Sequence, residues 1–302
     1  MQDPGNPSRP ELSVLTVSWN CWADLERLLE SLRASDYSDF EILVCDNQST
    51  DGTLENLRER YPEVRVLRNS ENLGHTRAVN QGVPQTRGRF VLLLDADTKL
   101  APNAMRILVE FMKARGDVSL AAPKVLNADG TVQESARNFP SALNGLFGRQ
   151  SLLTRWFPGN RFSSRYLRRD ALEATEPYQV QQVSAACMIF PRALFDLTGP
   201  WDEGYFAYWV DTDWCMTLGE LGKQIFCVPE ARVVHYENNR AGRKKSARRV
   251  VIFHRSAYRL YRKHYTWGAA DPRALFALVA LSMRAALLIA AGRLVVGREG
   301  DG

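Results

Sequence analysis

The sequence predicts an α/β protein whose doubly wound, mostly parallel sheet is flanked by helices, and two observations carry this prediction. Four short apolar runs alternate with three helical patterns between residues 12 and 94, which is the order expected of successive β–α–β units. The run Phe90–Leu94 is apolar at every position, as in a parallel strand that is buried on both faces.

Length and composition are those of a globular protein. The chain has 302 residues, of which 45% are hydrophobic and 24% charged, enough for one large domain or one domain with an appendage. The five cysteines include no CxxC pair, and Cys45 and Cys187 lie in apolar runs. We therefore expect reduced, mostly buried thiols and a cytoplasmic protein. Residues 1–10 are polar and rich in Pro and Gly, which predicts a disordered tail without a signal peptide.

The elements of the sheet follow from runs and periodicity. Strands are predicted at Leu12–Val17, Glu41–Cys45, Val64–Leu67 and Phe90–Leu94. Helices are predicted at Asp24–Ala34, at Leu54–Tyr61 and from Asn72 onward. Farther along, the pattern indicates a helix at Ala104–Ala114 and strands at Val118–Lys124, Val183–Phe190 and Val228–Val234. Ligands of open α/β sheets bind beyond the carboxyl ends of the strands, so the loops there are the candidate functional sites.

Two carboxylates, Asp95 and Asp97, follow the strand Phe90–Leu94. In an extended chain, side chains two residues apart point the same way. Oxygen ligands on one face suit Mg²⁺ or Mn²⁺, which take their other ligands from phosphates and water. Taken alone, the pattern is better explained by a strand that ends in a polar turn.

Two more loops carry polar clusters. In the segment Asp46–Thr53, DNQSTDGT, a carboxylate can accept a hydrogen bond from a nucleobase or ribose, although a well-capped helix start explains the same residues. In Asn72–Asn80, Arg77 near a helix start can meet a diphosphate, whereas His75 fits a surface or packing role. The chain has no GxGxxG loop in these positions, which argues against a dehydrogenase.

Four motifs in register, VSWN (17–20), DNQSTDGT (46–53), NLGHTRAVN (72–80) and LLDADT (93–98), resemble the family 2 glycosyltransferases. The resemblance extends from about Leu12 to His264 and implies a GT-A fold, a nucleoside-diphosphate sugar donor, a divalent metal and inversion at the anomeric carbon. It implies metal ligands at Asp95, Asp97 and His235. It also implies a nucleotide-sugar site formed by Thr16, Ser18, Asn20, Asp46, Asn47, Ser49, Asp51, Asn72, Arg77, Asp95 and Ala96.

The segment FAYWVDTDWC (206–215) resembles the second signature of that family. Asp211 aligns with the catalytic base, while Val210 stands where the family has Glu, and Ala185 where it commonly has Gly. Asp213 is expected to cap a helix at Trp214–Leu221, and capping is also the alternative role of Asp211. Trp201, Trp209 and Asp213 are expected to contact the acceptor or support the base. We expect further acceptor contacts in the irregular segment Thr131–Thr175, which includes Arg155 and Trp156.

The basic character of the chain is local. Net charge is +5, yet Arg240–His264 holds ten Lys and Arg residues and no acid, so the remaining residues sum to 5 − 10 = −5. This favours a local anionic partner over nucleic acid. Arg248, Arg255, Arg259 and Arg262 are expected to form a cationic helix face, which as a simple solvated face would need no partner.

The segment Arg273–Arg293 is apolar, but Arg284 interrupts it. It predicts an amphipathic helix with Arg273 and Arg284 on one face. We expect it to lie on the anionic inner face of the cell membrane, with packing on the domain or homodimerisation as the alternative. The predicted organisation is a glycosyltransferase domain at 11–239, with a nucleotide-binding half at 11–100 and an acceptor half at 101–239, followed by a helical extension at 240–302.

Within the family, the segments GTVQ (130–133), FAYWVDTDWC (206–215) and HRSAYRLYRKH (254–264) resemble rhamnosyltransferases of bacterial cell-surface polysaccharide assembly. This implies a dTDP-rhamnose donor and a polyprenyl-diphosphate-linked saccharide acceptor. A UDP-hexose or UDP-N-acetylhexosamine donor is the nearest alternative. A non-catalytic membrane-associated scaffold is favoured only by Val210. A nucleotidyltransferase would need a Gly-rich phosphate loop, which Leu12–Asn20 lacks.

Overall fold

A computed structural model describes residues 9–140, 161–236, 246–268 and 270–299, with side chains except those at 162–163 and 292–299. Residues 1–8 of the predicted tail, the acceptor candidates Arg155 and Trp156, and the basic residues at 240–245 lie outside the described residues.

One sheet runs through the described part of the chain. Its strands are β1 (Leu12–Ser18), β2 (Phe40–Asp46), β3 (Arg65–Arg68), β4 (Phe90–Asp95), β5 (Thr98–Leu100), β6 (Val118–Leu126), β7 (Tyr178–Val180), β8 (Cys187–Pro191) and β9 (Gln224–His235). The strand order is β3-β2-β1-β4-β8-β6-β9-β5, with β7 paired to β9. Strands β1 to β4 pair in parallel, as do β6 and β9, whereas β8, β5 and β7 pair antiparallel with their neighbours.

Nine α-helices flank the sheet or extend from it within the described ranges. They are α1 (Trp22–Arg33), α2 (Thr53–Arg60), α3 (Gly74–Gly82), α4 (Ala104–Ala114), α5 (Arg161–Tyr166), α6 (Arg192–Thr198), α7 (Val210–Glu220), α8 (Ala247–Tyr265) and α9 (Pro272–Glu299).

Strand β4 shows why its sequence is apolar throughout. Leu92 and Leu94 belong to one core cluster, which includes Leu25 of α1. Val91 and Leu93 belong to a second cluster on the other face, which includes Val79 of α3. Alternate residues of a strand face opposite sides of the sheet, so burial on both faces removes the polar positions. The predicted mostly parallel, doubly wound sheet is therefore confirmed.

Several boundaries differ from the prediction. Helix α7 begins at Val210 rather than at Trp214, and β8 begins at Cys187 rather than at Val183. The two three-residue strands β5 and β7 were not predicted, because a run of three residues is too short to show a periodicity. Their pairing partner is the distant strand β9.

The last two helices form a hairpin outside the sheet. Helix α8 packs on the domain through buried residues that include Val250, Ser256 and Leu260, and α9 packs along α8. The stretch Pro272–Ala291 of α9 is 20 residues long and apolar enough to cross a membrane by length and composition alone. Most of it is exposed.

Candidate active site

Asp95, Asp97 and His235 converge at the carboxyl end of β4. One potential ligand atom from each lies within 4.8 Å of the others. His235 Nε2 is 3.2 Å from Asp97 Oδ1 and 3.9 Å from Asp95 Oδ2. Two carboxylates and an imidazole form a donor set that suits Mn²⁺ or Mg²⁺.

The two carboxylates meet by a different route from the one expected. Strand β4 ends at Asp95, and Asp97 lies in the turn before β5 rather than in extended chain. Thr98 Oγ1 donates to the carbonyl of Asp95 at 2.7 Å and closes this turn. The prediction that strand alternation sets the two side chains on one face was therefore wrong, although both carboxylates still approach His235.

A bulge in β9 brings His235 to this turn. Val228 pairs with Pro123, but the next pair joins Arg232 to Lys124, so β9 carries three additional residues at 229–231. After this bulge β9 pairs antiparallel with β5, which sets His235 opposite Thr98. The backbone N–H of Tyr236 then donates to the carbonyl of Asp97 at 2.9 Å. The third candidate ligand thus depends on pairing between strands more than a hundred residues apart in sequence.

Gln133 orients the His235 ring. Its Oε1 lies 2.9 Å from His235 Nδ1, and its Nε2 donates to Asn127 Oδ1 at 3.2 Å. With the side-chain oxygen of Gln133 as acceptor, Nδ1 carries the proton and Nε2 presents its lone pair toward the two aspartates. Acceptor atoms that converge in this way fit a cation, and the partner of the distal ring nitrogen is a recurrent feature of metal-ligating histidines.

Asp95 lies among several charges. Burial raises its pKa, and the carboxylates of Asp97 and Asp211 raise it further, while His75 and His235 act in the opposite direction. His75 Nε2 is 3.7 Å from Asp95 Oδ1. Because the accumulated negative charge opposes ionisation of Asp95, a bound cation would favour the ionised form.

Asp211 faces the same site from the first turn of α7. Its Oδ2 accepts a hydrogen bond from the Ala185 N–H at 3.3 Å, and its Oδ1 accepts one from the Thr212 N–H at 2.8 Å. The neighbouring residue, Ala186, accepts a hydrogen bond from the Asp95 N–H at 3.0 Å. One short loop before β8 therefore holds both Asp95 and Asp211.

The chain is strained immediately before Asp211. Tyr208 and Trp209 have φ values of 63° and 67°, a region that non-glycine residues seldom adopt. Phe253 of α8 packs against both rings, with centroids 5.7 and 5.5 Å away. Ser256 Oγ donates to the carbonyl of Ala207 at 2.9 Å. Helix α8 thus holds the turn that presents Asp211.

Asp213 was expected to cap a helix, and that expectation was wrong, because α7 already begins at Val210. Asp213 is buried, with Lys263 Nζ 2.8 Å from its Oδ2 and His264 Nε2 2.7 Å from its Oδ1. The hydroxyl of Tyr205 donates to the same carboxylate at 3.2 Å. Burial and Asp213 raise the pKa of Tyr205, so this hydroxyl remains a donor. Asp213 therefore joins α7 to α8.

The expected cationic face of α8 is divided by its contacts. Arg259 donates to both carboxylate oxygens of Asp202, at 2.9 and 2.6 Å. The Arg259 guanidinium also occupies the space that a Cβ at position 204 would need, so a side chain there would displace the guanidinium. Arg248 lies over the ring of Phe206, whereas Arg255 and Arg262 are exposed. Part of the basic segment is thus structural.

The loops after β1 and β2 are tied to each other. Asn20 N–H donates to Ser49 Oγ at 2.9 Å, and the Thr50 N–H donates to Asn20 Oδ1 at 2.7 Å. Asp51 Oδ2 accepts from the Trp22 N–H at 2.9 Å. These polar groups shape the rim of the predicted nucleotide pocket. Ser18 Oγ lies 3.5 Å from Cys21 Sγ in the same rim.

The loop before α3 is tied to the segment before α7. Asn47 Nδ2 donates to the carbonyl of Gly74 at 3.1 Å, and Asn72 Oδ1 accepts from the Gly74 N–H at 2.9 Å. Gly74 has a φ of 82°, and a Cβ there would lie 2.6 Å from the carbonyl oxygen of Phe206. That same carbonyl accepts from the His75 N–H at 3.0 Å. This close approach requires glycine.

Unsatisfied polar atoms cluster in the predicted site. The described residues contain six buried side-chain polar atoms without a hydrogen-bond partner: Thr16 Oγ1, Asp46 Oδ1, His75 Nε2, Thr76 Oγ1, Trp201 Nε1 and Trp209 Nε1. Such atoms are costly and rare in native proteins. Asp46 Oδ2, by contrast, accepts from the Ser49 N–H at 2.9 Å. Four of the six belong to residues that were predicted to contact the nucleotide-sugar donor (Thr16 and Asp46) or to contact the saccharide acceptor or support the base (Trp201 and Trp209).

Arg77, which was predicted to meet a diphosphate, forms an ion pair with another loop. It is exposed, and its Nε lies 3.2 Å from Glu203 Oε2, with which it forms an ion pair.

Ala96 lies in the turn between Asp95 and Asp97. Trp201 is held by reciprocal hydrogen bonds of 2.8 Å between its backbone and the side chain of Asn80. Its ring lies 6.1 Å from that of His75.

Residue-by-residue reasoning missed five members of this arrangement: His75, Gln133, Tyr205, Lys263 and His264. Gln133 and the pair Lys263 and His264 lie in segments that showed the resemblance to rhamnosyltransferases, GTVQ and HRSAYRLYRKH. That resemblance was the available signal, but it did not reveal which side chains they contact.

Comparisons with known proteins test the family and the fold of this chain. Residues 13–175 match the model of glycosyl transferase family 2. The N-acetylglucosaminyl-diphospho-decaprenol L-rhamnosyltransferase of Mycobacterium tuberculosis is 31% identical over 274 residues, covering 87% of this chain and 88% of that protein. Chondroitin synthase of Escherichia coli is 32% identical over 138 residues, which cover 43% of this chain and 20% of the synthase.

Solved structures support the fold. GalNAc-T7, crystallised with UDP, GalNAc and Mn²⁺, superposes with a TM-score of 0.59 at 16% identity, covering 91% of this chain and 55% of that one. The mannosyltransferase PcManGT of Pyrobaculum calidifontis, in complex with GDP-Man and Mn²⁺, gives 0.57 at 17% identity, covering 98% and 77%. The GT-A fold is thereby confirmed, and the chain belongs to glycosyl transferase family 2, as its four motifs in register predicted.

Proposed function

We propose that this glycosyltransferase transfers rhamnose from dTDP-rhamnose to a polyprenyl-diphosphate-linked saccharide, with inversion at the anomeric carbon. The observation that carries the mechanism is the loop before β8, which holds Asp211 through Ala185 and Asp95 through Ala186. The choice of sugar and acceptor rests on the mycobacterial relative, which is similar over nearly the whole length of both chains.

Asp211 is the proposed general base. It accepts the proton of an acceptor hydroxyl as that oxygen forms a bond to the anomeric carbon of the donor. The bond from this carbon to the diphosphate oxygen breaks, and the nucleoside diphosphate leaves with the electron pair. Hydrogen bonds from the Ala185 and Thr212 N–H groups hold the carboxylate in one orientation, which a base must have before the acceptor hydroxyl approaches.

Asp95, Asp97 and His235 are the proposed ligands of a divalent cation. When bound, Mg²⁺ or Mn²⁺ supplies positive charge that stabilises the departing diphosphate. Gln133 keeps His235 Nε2 available as a ligand atom. Asp95 is chosen as a ligand because its Oδ2 lies 3.9 Å from His235 Nε2. Burial, together with repulsion from Asp97 and Asp211, raises its pKa, and a cation there would offset this.

The proposed donor pocket lies beside the loops after β1 and β2. Asp46 Oδ1 is buried without a hydrogen-bond partner in the described part of the chain, and an N–H of the nucleobase would satisfy it. Val210, which replaces the acidic residue expected at the start of α7, is buried in the second core cluster. It offers no hydrogen bond to the acceptor, so we assign acceptor contacts on this side to Trp201 and Trp209.

A thermal-shift panel tests the donor and the metal site together. Wild type and Asp97→Ala are compared with dTDP, UDP, GDP or CDP, each with Mn²⁺ or EDTA. A ligand at 100 times its Kd stabilises the protein by about 2.7 kcal/mol. We expect a shift with dTDP that requires both Mn²⁺ and Asp97. Asp117→Ala is the matched control, because Asp117 pairs with Arg115 on the surface.

Each alternative donor has its own outcome. A larger shift with UDP than with dTDP would replace rhamnose by a UDP-hexose or UDP-N-acetylhexosamine. The absence of any metal-dependent shift would favour the non-catalytic scaffold. Transfer is then followed by mass spectrometry of a short-chain N-acetylglucosaminyl-diphospho-prenol incubated with dTDP-rhamnose. A product without added deoxyhexose mass would contradict rhamnosyl transfer to this acceptor.

A further inference from the structure

Helix α9 has its polar and apolar sides arranged opposite to those of a helix on a water-soluble surface. Its charged residue Arg284 is turned toward α8, where its Nη1 lies 3.1 Å from His254 Nε2. The side turned outward is hydrocarbon: Leu275, Phe276, Val279, Met283 and Leu287 are all exposed. In water, burial of the apolar residues and exposure of the arginine would be favoured.

The sequence predicted Arg273 and Arg284 on one face of an amphipathic helix, and in the structure each of them has a partner on the protein. Arg273 is paired with Asp271 at the beginning of α9, where its Nη2 is 2.6 Å from Asp271 Oδ2. Arg284 lies about three turns farther along and faces the protein. Neither arginine therefore lies within the outward apolar side of α9.

The exposed apolar area is too continuous for scattered surface residues. Residues 275, 276, 279, 283 and 287 recur at spacings of three and four, so they form one stripe along the helix. A contiguous exposed apolar patch of this kind marks an interaction surface. Helix α8, against which α9 packs, also exposes an apolar residue, Val251, which is half exposed.

Charge indicates the partner. Arg255 and Arg262 are exposed and seven residues apart, so they lie on one flank of α8, and Val251 is one turn from Arg255 on that flank. Exposed hydrocarbon on α9, combined with exposed arginines on the helix against which it packs, complements a bilayer with anionic headgroups. A second copy of the chain would bring the same arginines together if the surface were self-complementary.

We propose that the outward stripe of α9, together with the Arg255 and Arg262 flank of α8, docks the protein on the surface of an anionic lipid bilayer. Helix α9 lies along α8 rather than standing free, which favours contact through its side over insertion along its axis. The proposal is independent of which sugar is transferred. It would keep the enzyme where a lipid-linked acceptor is found.

Flotation of the full chain with vesicles tests this surface. Wild type is compared on phosphatidylcholine vesicles and on vesicles that also contain phosphatidylglycerol. We expect flotation chiefly with the anionic vesicles, retention through a neutral wash and release by alkaline carbonate. In the triple variant F276S/M283S/L287S, whose three residues are 62–76% exposed, we expect at least a tenfold smaller floated fraction. Leu197→Ser, at a residue that is 61% exposed on α6, is the matched control.

Three results would overturn the proposal: no flotation of wild type, equal flotation on neutral and anionic vesicles, or undiminished flotation of the triple variant. Resistance to alkaline carbonate would indicate a spanning helix instead. A wild-type dimer that becomes monomeric in the triple variant, without vesicle binding by either, would assign the stripe to a second copy. Circular dichroism and the nucleotide-dependent thermal shift establish that the triple variant is folded, separately from its vesicle binding.

Discussion

Two histidine–carboxylate clusters lie on either side of the first turn of α7, and they differ in what compensates their negative charge. In the first, His235 lies between Asp95 and Asp97, and Asp211 is close enough to raise the pKa of Asp95. In the second, His264 lies between Asp213 and Glu220, and the Lys263 ammonium is 2.8 Å from Asp213.

The difference distinguishes the proposed chemical site from a structural cluster. Lys263 supplies the second cluster with a permanent cation, and the ion pair joins α7 to α8. The ion-pair partners of Asp95 are the imidazoles of His75 and His235, whose charge depends on protonation. The carboxylates of the first cluster are therefore suited to binding a cation that enters the site together with a bound ligand. Residue type alone would not have distinguished the two clusters.

The largest expected effect comes from exchanging Asp for Asn in each cluster. Asp211→Asn should lower single-turnover sugar transfer by about 100- to 10,000-fold, the usual contribution of a general base. Its nucleotide- and Mn²⁺-dependent thermal shift should remain, because the amide oxygen can still accept a hydrogen bond from the Ala185 N–H. Asp213→Asn should affect stability more than chemistry, since the neighbouring Lys263 loses its partner.

Both variants are compared in the same transfer assay and by urea unfolding. Equal loss of transfer in the two variants, with equal stability, would remove the distinction between the clusters. A fully active Asp211→Asn protein would assign the base to another residue. If the Asp213→Asn variant kept its stability but lost transfer activity, the chemical role would belong to Asp213 and the structural role to Asp211.

The next effect sharpens the chemical side of the comparison. Gln133→Leu leaves the three candidate metal ligands in place but removes the acceptor at His235 Nδ1. Loss of such a partner lowers metal affinity by about 10- to 100-fold. Titration with Mn²⁺ in the presence of the nucleoside diphosphate measures it, with the surface variant Gln179→Leu as the control. Unchanged Mn²⁺ affinity would show that Gln133 does not orient a ligand.

The sequence predicted the parts of this molecule that depend on local patterns. Phe90–Leu94 and its parallel neighbours were predicted because burial on both faces leaves an unmistakable apolar run. Asp95 and Asp97 were found because they follow such a run. Their meeting by a turn was not predicted, since the hydrogen bond that closes the turn involves the Thr98 side chain.

Features that depend on distant pairing were beyond the sequence. Gln133 and His235 meet because the bulge at 229–231 shifts β9 against β6. Lys263 meets Asp213 across fifty residues. Periodicity assigns Arg259 to a cationic helix face, and Lys263 is one of the ten cations of the basic segment. Neither signal contains information about the acidic groups that these two side chains contact. Resemblance supplied His235 and Asp211 without supplying their contacts.

The smallest predicted effect concerns the contact that attaches α8 to the loop before α7. Burial alone would raise the pKa of Asp202, but hydrogen bonds from Arg259 and from the Gly204 N–H outweigh it, and the pKa is lowered. A carboxylate with a lowered pKa stabilises the fold above its unfolded-state pKa, and this contribution is lost as pH falls through the folded-state value. Asp202→Asn should therefore lower the free energy of unfolding near neutral pH, by less than about 1 kcal/mol because Arg259 is partly exposed.

The difference between wild type and Asp202→Asn should disappear as the pH is lowered through the depressed pKa of Asp202. Urea unfolding at a series of pH values measures this, with the exposed Asp196→Asn as the control. A difference that persists in acid would mean that the carboxylate shape, rather than its charge, holds Arg259. The Arg259 pair would then belong with packing contacts such as those of Phe253, and Lys263 would be the principal charged link between α8 and the turn that presents Asp211.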